Sequence, residues 1–191
     1  MQKEIEDILL DKVIDGDEAA CRLLLDRYKH LVYTLVYRML KNAEDAEEVT
    51  QDVFVKAFRS LEGFRRDAKF STWLYRIAWN TASSRLRKKK PAETDLETVP
   101  EGRVSVDAVE SSFQKMRRNE QRRYIAKALA VLPADDASLV SMFYLKECSL
   151  KEIEEITGYT ANNIKVKVHR ARQRLLKALS AMLKHEAREL L

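Results

Sequence analysis

Apolar residues recur along this chain at steps of three and four, the period of a helix packed on one side. The first such run holds Leu24, Tyr28, Leu31, Leu35 and Met39 and reaches to about Leu40, with Asp17 placed to cap its start. A second begins near Asn42 or Ala43 and sets Ala46, Val49, Val53, Ala57 and Leu61 on one face. A third follows the polar segment Arg65 to Lys69 and buries Phe70, Trp73, Leu74, Ile77 and Ala78. Farther along, helices are expected from about Phe113 to Val131 and, after a break at Pro133, from about Asp135 to Lys146. A short helix capped by Ser149 ends near Ile156, and a long one runs from about Ala161 to Lys184. The expected fold class is all-α, because 4 Gly and 3 Pro supply too little turn chemistry for closely spaced strands.

Two small helical domains are expected, at 1–90 and 113–191, joined by a flexible linker at 91–112. The linker, PAETDLETVPEGRVSVDAVESS, holds Pro91, Pro100 and Gly102 and has no helical period. Charge follows the same division. Residues 1–90 carry 18 basic and 15 acidic side chains and residues 113–191 carry 16 and 9, whereas the linker has one Arg and six acids. Two basic modules on an acidic tether, with a net charge of +5, favour an anionic partner.

Charges interrupt every apolar stretch well short of the roughly 18 consecutive positions of a membrane span. Met1 to Asp7 alternates acid and base and lacks the apolar core of a signal peptide, so a cytoplasmic location is expected. Cys21 and Cys148 lie far apart and outside any CxxC spacing, and His30, His169 and His185 are scattered. With no Gly-rich phosphate loop and no Ser/His/Asp grouping, no metal, cofactor or enzyme activity is expected.

Counting 100° per residue, the last helix separates Ile164, Val168, Ala171 and Leu175 from Asn162, Val166, His169 and Gln173. A short capped helix, the turn Thr157-Gly158-Tyr159-Thr160 and this longer basic helix have the form of a helix-turn-helix. The second set is then placed to meet base edges, and Lys165, Lys167, Arg172 and Arg174 flank it toward the phosphates. A solvated basic face is the plainer alternative.

On the third helix Thr72, Arg76, Trp79, Asn80, Ser83 and Arg87 lie opposite Leu74 and run on into Lys88-Lys89-Lys90. Cations beside rings and amides suit a strand whose bases have left the stack. Trp73 shares the buried stripe, so Trp79 is the ring expected at the surface. On the second helix Glu48, Gln51, Asp52, Val55 and Arg59 lie opposite Val53, a mixed face that repels phosphate and suits a protein partner, with a plain solvated face as the alternative.

The strings AEDAEEVTQDVFVKAFRSLEGFR, FSTWLYRIAWNTASSRLR and, after the acidic linker, SLKEIEEITGYTANNIKVKVHRARQRLLKAL resemble the extracytoplasmic-function branch of the sigma-70 family of bacterial RNA polymerase sigma factors. They correspond in order to regions 2.1–2.4 and 4.1–4.2, and the resemblance covers nearly the whole chain. It implies that the face of Glu48, Gln51, Asp52 and Val55 docks on the clamp helices of the polymerase largest subunit. It further implies that the loop Phe64, Arg65, Arg66 to Lys69, with Arg76, Trp79, Asn80 and Arg87 on the next helix, opens the −10 element and captures a flipped base. Region 4 would rest on the polymerase flap and read the −35 element of promoter DNA through Asn162, Asn163, Lys165, Val166, Lys167, His169, Arg170, Arg172 and Gln173. The linker would thread toward the active-site cleft, and an anti-sigma factor would hold the protein in check. Where Glu154 and Thr157 stand, the family usually has a small and an apolar residue. A stand-alone helix-turn-helix regulator would account for residues 149–184 but leave the first module without a role. A nuclease would need clustered metal-binding acids that the basic helices lack.

Overall fold

A computed structural model describes residues 2–88, 123–146 and 148–189 of the chain. The expected linker at 91–112, and the module boundaries at 90 and 113, lie outside the described residues. The described part is helical throughout: α1 (Gln2–Ile14), α2 (Glu18–Leu40), α3 (Ala43–Ser60), a 3₁₀ turn (Leu61–Gly63) and α4 (Phe70–Lys88). Helix α5 is described over 123–130. It is followed by α6 (Ala134–Val140), a π-helical turn (Ser141–Leu145), α7 (Leu150–Thr157) and α8 (Ala161–Glu189).

The helix starts follow local chemistry. Asp17 accepts from the backbone N–H of Ala19 at 2.8 Å and of Ala20 at 3.1 Å, and Asn42 accepts from that of Asp45 at 2.8 Å. Each satisfies an otherwise orphaned donor, and replacement by Ala costs about 1 kcal/mol. Ser149 and Glu152 form a reciprocal capping box at the start of α7, and Gly158 closes that helix at φ 73°, in the left-handed region.

Helices α2, α3 and α4 pack on one another around Leu24, Val32, Val36, Val49, Val53, Leu74 and Ala78, all buried. Truncating a fully buried leucine such as Leu74 to Ala costs roughly 2–5 kcal/mol. The N-terminal segment, for which no element was anticipated, is α1. It inserts Leu10 and Val13 against α2.

Two small helical domains were expected, and the helices of the two modules meet through a shared apolar interior. The main apolar cluster runs from Leu24 and Leu74 into Leu139, Met142, Ile153, Ile156, Ile164 and Val168. Helix α7 packs on α4, and α6 packs on α2. An eight-residue helix with Ile153 and Ile156 cannot bury enough area on α8 alone, and small domains gain by sharing surface. A smaller cluster of Leu129, Leu132, Ala137, Val140 and Ala171 joins α5, α6 and α8.

The helix expected from Asp135 to Lys146 starts on schedule but widens at residue 141. There the Ser141 hydroxyl donates to the Ala137 carbonyl at 2.6 Å, and the Lys146 N–H reaches back to the Ser141 carbonyl at 3.1 Å. A serine bonding to its preceding turn competes with the helical ladder.

Candidate functional site

The mixed face of α3 is open. Glu48, Gln51, Asp52, Val55 and Arg59 are all exposed, and Val55 leaves 47 % of its surface in water. Glu48 is held by Arg85 of α4 at 2.6 Å, and the same guanidinium reaches Asp45 at 2.9 Å. These contacts tie the edge of the face to α4.

The 64–69 loop precedes α4. Phe64 is half-buried against Trp73 and Phe70, with ring centroids 5.1 and 5.8 Å away. Its cations are engaged. Arg65 lies 3.4 Å from Asp67, Arg66 grips Asp11 of α1, and Lys69 meets Glu152 of α7 at 2.8 Å. Beneath the loop is a cavity of 710 Å³ lined by α1, α2 and loop residues, Asp7, Arg27, Phe64 and Lys69 among them.

On α4, Arg76, Asn80 and Arg87 are exposed as expected, but Trp79 is not. It is only 5 % exposed and stands perpendicular to the Tyr159 ring, with centroids 6.0 Å apart. Thr72 and Tyr75 are buried on the same helix, and Trp73 is half-buried. The expectation of Trp79 at the surface is thus corrected. Periodicity along α4 accounts for one covered face, whereas α7 lies on a second.

Helix α8 divides as its spacing implied. Ile164, Val168 and Ala171 are buried, and Leu175 is half-buried. Asn162, Asn163, Lys165, Val166, His169, Arg170, Arg172 and Gln173 are exposed. Two flanking cations are spoken for. Lys167 is half-buried, 3.5 Å from Asp135 and 4.9 Å above the Tyr159 ring, and Arg174 pairs with the buried Asp136. Burial and the hydrogen bond to Asp135 push the Tyr159 hydroxyl up to about 12. Lys167 and Arg174 serve the joint between α6 and α8 more than a groove.

The unusual Glu154 and Thr157 also find their places. Glu154 accepts from the Ala161 N–H and so caps α8, and its charge is favourable at a helix N-terminus. Thr157 donates to Ile153 at 2.7 Å and accepts from the Tyr159 N–H at 3.2 Å, fixing the turn. Sequence reasoning missed Asp11, Lys41, Glu152 and Tyr159, whose importance is tertiary. Lys41, left-handed at φ 53°, donates to the carbonyls of Ala130 at 2.8 Å and Leu132 at 2.7 Å. No described helix is long and apolar enough to cross a membrane.

A helix-turn-helix with an exposed polar face, joined to a helical bundle carrying a cationic loop, has the architecture of a two-module DNA-binding protein. The family pattern for Sigma-70 region 2 matches residues 24–91, and that for Sigma-70, region 4 matches residues 122–175. The chain is 35 % identical to the ECF RNA polymerase sigma factor SigW of Bacillus subtilis, over 89 % of this chain and 94 % of that protein. It is 31 % identical to the ECF RNA polymerase sigma-E factor of Escherichia coli, over 91 % and 94 %. It resembles in fold the sigma factor RpoE of Bartonella quintana, solved in complex with the anti-sigma factor NepR, with a TM-score of 0.65, 20 % identity and coverage of 83 % and 96 %. CnrH, solved in complex with the cytosolic domain of CnrY, gives 0.61, 21 % identity and coverage of 91 % and 96 %. The chain belongs to the extracytoplasmic-function branch of the sigma-70 family. Its function is that of a sigma factor, which binds core RNA polymerase for promoter-specific initiation and leaves catalysis to the polymerase.

Proposed function

We propose that the three surfaces divide the work of initiation. Gln51, Asp52 and Val55, with Glu48 beside them, dock on the clamp helices of the largest polymerase subunit. Phe64, Arg65 and Lys69, with Arg76, Asn80 and Arg87 on α4, handle the −10 element and its displaced strand. Asn162, Val166, His169 and Gln173 read the −35 element, and Asn163, Lys165, Arg170 and Arg172 hold the flanking phosphates. Region 4 rests on the polymerase flap, and the acidic linker passes toward the active-site cleft. Trp79 joins the −10 surface only after Tyr159 moves away. An anti-sigma factor is the further partner, a reading supported by the complex in which RpoE of Bartonella quintana was solved. The protein acts in the cytoplasm, where polymerase and promoter are.

The observation that carries this reading is the division of α8, whose apolar stripe is spent on α6 and α7 while its opposite polar stripe is exposed. That face has the side chains for base edges at its centre and cations at its margins. The experiment is gel filtration of the full chain with core polymerase, followed by run-off transcription on promoter DNA. A stable complex without DNA and specific run-off product are expected. Binding to duplex DNA with no polymerase complex would leave only a stand-alone helix-turn-helix regulator.

A further inference from the structure

One cation of the 64–69 loop turns away from its neighbours. Arg66 has a left-handed backbone, φ 61°, which residues other than Gly, Asn and Asp seldom adopt. Its guanidinium holds both carboxylate oxygens of Asp11 on α1, one of them at 3.3 Å. That hydrogen-bonded contact draws the Asp11 carboxyl below its ordinary value and the Arg66 guanidinium above its own. A forked contact fixes direction as well as distance, so it holds the crest of the loop in a conformation the chain does not prefer. A second tie runs through Glu6, which accepts from the Tyr28 hydroxyl. The Tyr28 ring in turn stands edge-on to Phe70, 5.2 Å away, where the loop enters α4. The cavity beneath the loop lies between these two ties.

We propose that α1, acting through Asp11, is a positioning element for the loop that opens the −10 element, and that Arg66 works on α1 rather than on DNA. The inference rests on the assignment of the loop to that element. Asp11 lies outside the matched region-2 segment, which begins at residue 24. It acts through Arg66 and not by touching DNA. Its effect is to keep the loop and the Phe64 ring where a displaced base meets them, since small displacements at a reacting site cost rate steeply.

The test uses full-length protein in holoenzyme and separates initial promoter binding from the isomerisation that opens the duplex. Asp11→Ala, Asp11→Asn, Arg66→Ala, the double variant Asp11→Ala with Arg66→Ala, and the exchanged pair Asp11→Arg with Arg66→Asp are compared. Each single change is expected to slow isomerisation roughly tenfold while leaving initial binding and its salt dependence unchanged. The double variant should be no slower than either single one, the exchanged pair should recover, and a pre-opened bubble template should erase the differences. Because Asp11 is exposed, thermal melting should change little. Normal or faster opening by Asp11→Ala overturns the inference, as does a lowered salt slope in Arg66→Ala, which would make Arg66 a phosphate contact. Asn80→Ala serves as reference. If it opens poorly while Asp11→Ala opens normally, only this inference fails. If both open normally, the assignment of the −10 surface fails with it.

Discussion

Trp79 and Tyr159 stand perpendicular at a centroid separation of 6.0 Å, so the turn of the helix-turn-helix covers a ring on the helix assigned to the −10 element. Such a pair contributes about 0.5–1.5 kcal/mol beyond the area it buries. In a Trp73→Phe background, Tyr159→Ala is expected to red-shift Trp79 emission and raise its quenching by acrylamide. Unchanged emission would mean that the ring stays covered without Tyr159 and that other contacts hold the modules together.

Lys41 also links the two modules. Its ammonium satisfies the carbonyls of Ala130 and Leu132, and Lys41→Met would leave both without that donor, at a cost on the order of 1–3 kcal/mol. Hydrogen exchange should rise in α5 and α6 with little change in α3. A uniform rise over the whole chain would point to global destabilisation instead.

The ion pair between Lys69 and Glu152 carries a pH signature. Burial alone would raise the Glu152 carboxyl, but Lys69 and the backbone and hydroxyl of Ser149 outweigh it and hold it at about 2, against an ordinary 4.5. A value lowered by folding gives stability that is complete above the unfolded value and is lost as pH falls toward the folded one. Glu152→Gln should therefore lower the urea midpoint at about pH 7 and flatten its decline between about pH 4.5 and pH 2. Parallel declines in the two proteins would remove Glu152 as the titrating group.

Along α8, neighbouring lysines should behave differently. Lys165→Ala is expected to weaken binding to all promoters and reduce the salt slope by about one unit, as for a lost phosphate contact. Lys167→Ala should chiefly lower melting temperature, since that ammonium spans Asp135 and the Tyr159 ring. His169→Ala should change the bases selected from a randomised −35 library, and identical selection would exclude it as a base reader.

On α3, the double variant Gln51→Ala with Asp52→Ala is expected to lose core-polymerase affinity by about 2 kcal/mol or more while remaining folded, because both side chains are exposed. Titration with core polymerase measures this, and unchanged affinity would move the docking surface elsewhere.

Much of this architecture was legible in the residues themselves. Asp17, Asn42, Ser149 and Gly158 mark helix ends by chemistry that acts within a few positions, and each stands where its type implies. The exposed polar stripe of α8 was legible for the same reason, since periodicity along one helix fixes which side chains share a face. What could not be read was which faces meet. Trp79 and Lys69 look free when α4 is considered alone, and only the arrival of α7 and the turn after it buries Trp79 beside Tyr159 and pairs the still exposed Lys69 with Glu152. Helix α1 shows no clear apolar period because acids dominate its first turns, although Leu10 and Val13 carry its packing.

The apolar interior shared by Leu74, Ala78, Ile153 and Ile156 makes the chain a competitor for its own surfaces. Any strand that is to lie along Trp79 must first find the modules parted. Its apparent affinity is the intrinsic one reduced by the fraction of chains that are open at that moment. A change that loosens the joint by about 1.4 kcal/mol, while the closed form still predominates, would therefore raise apparent affinity for the strand about tenfold without altering one contact to it.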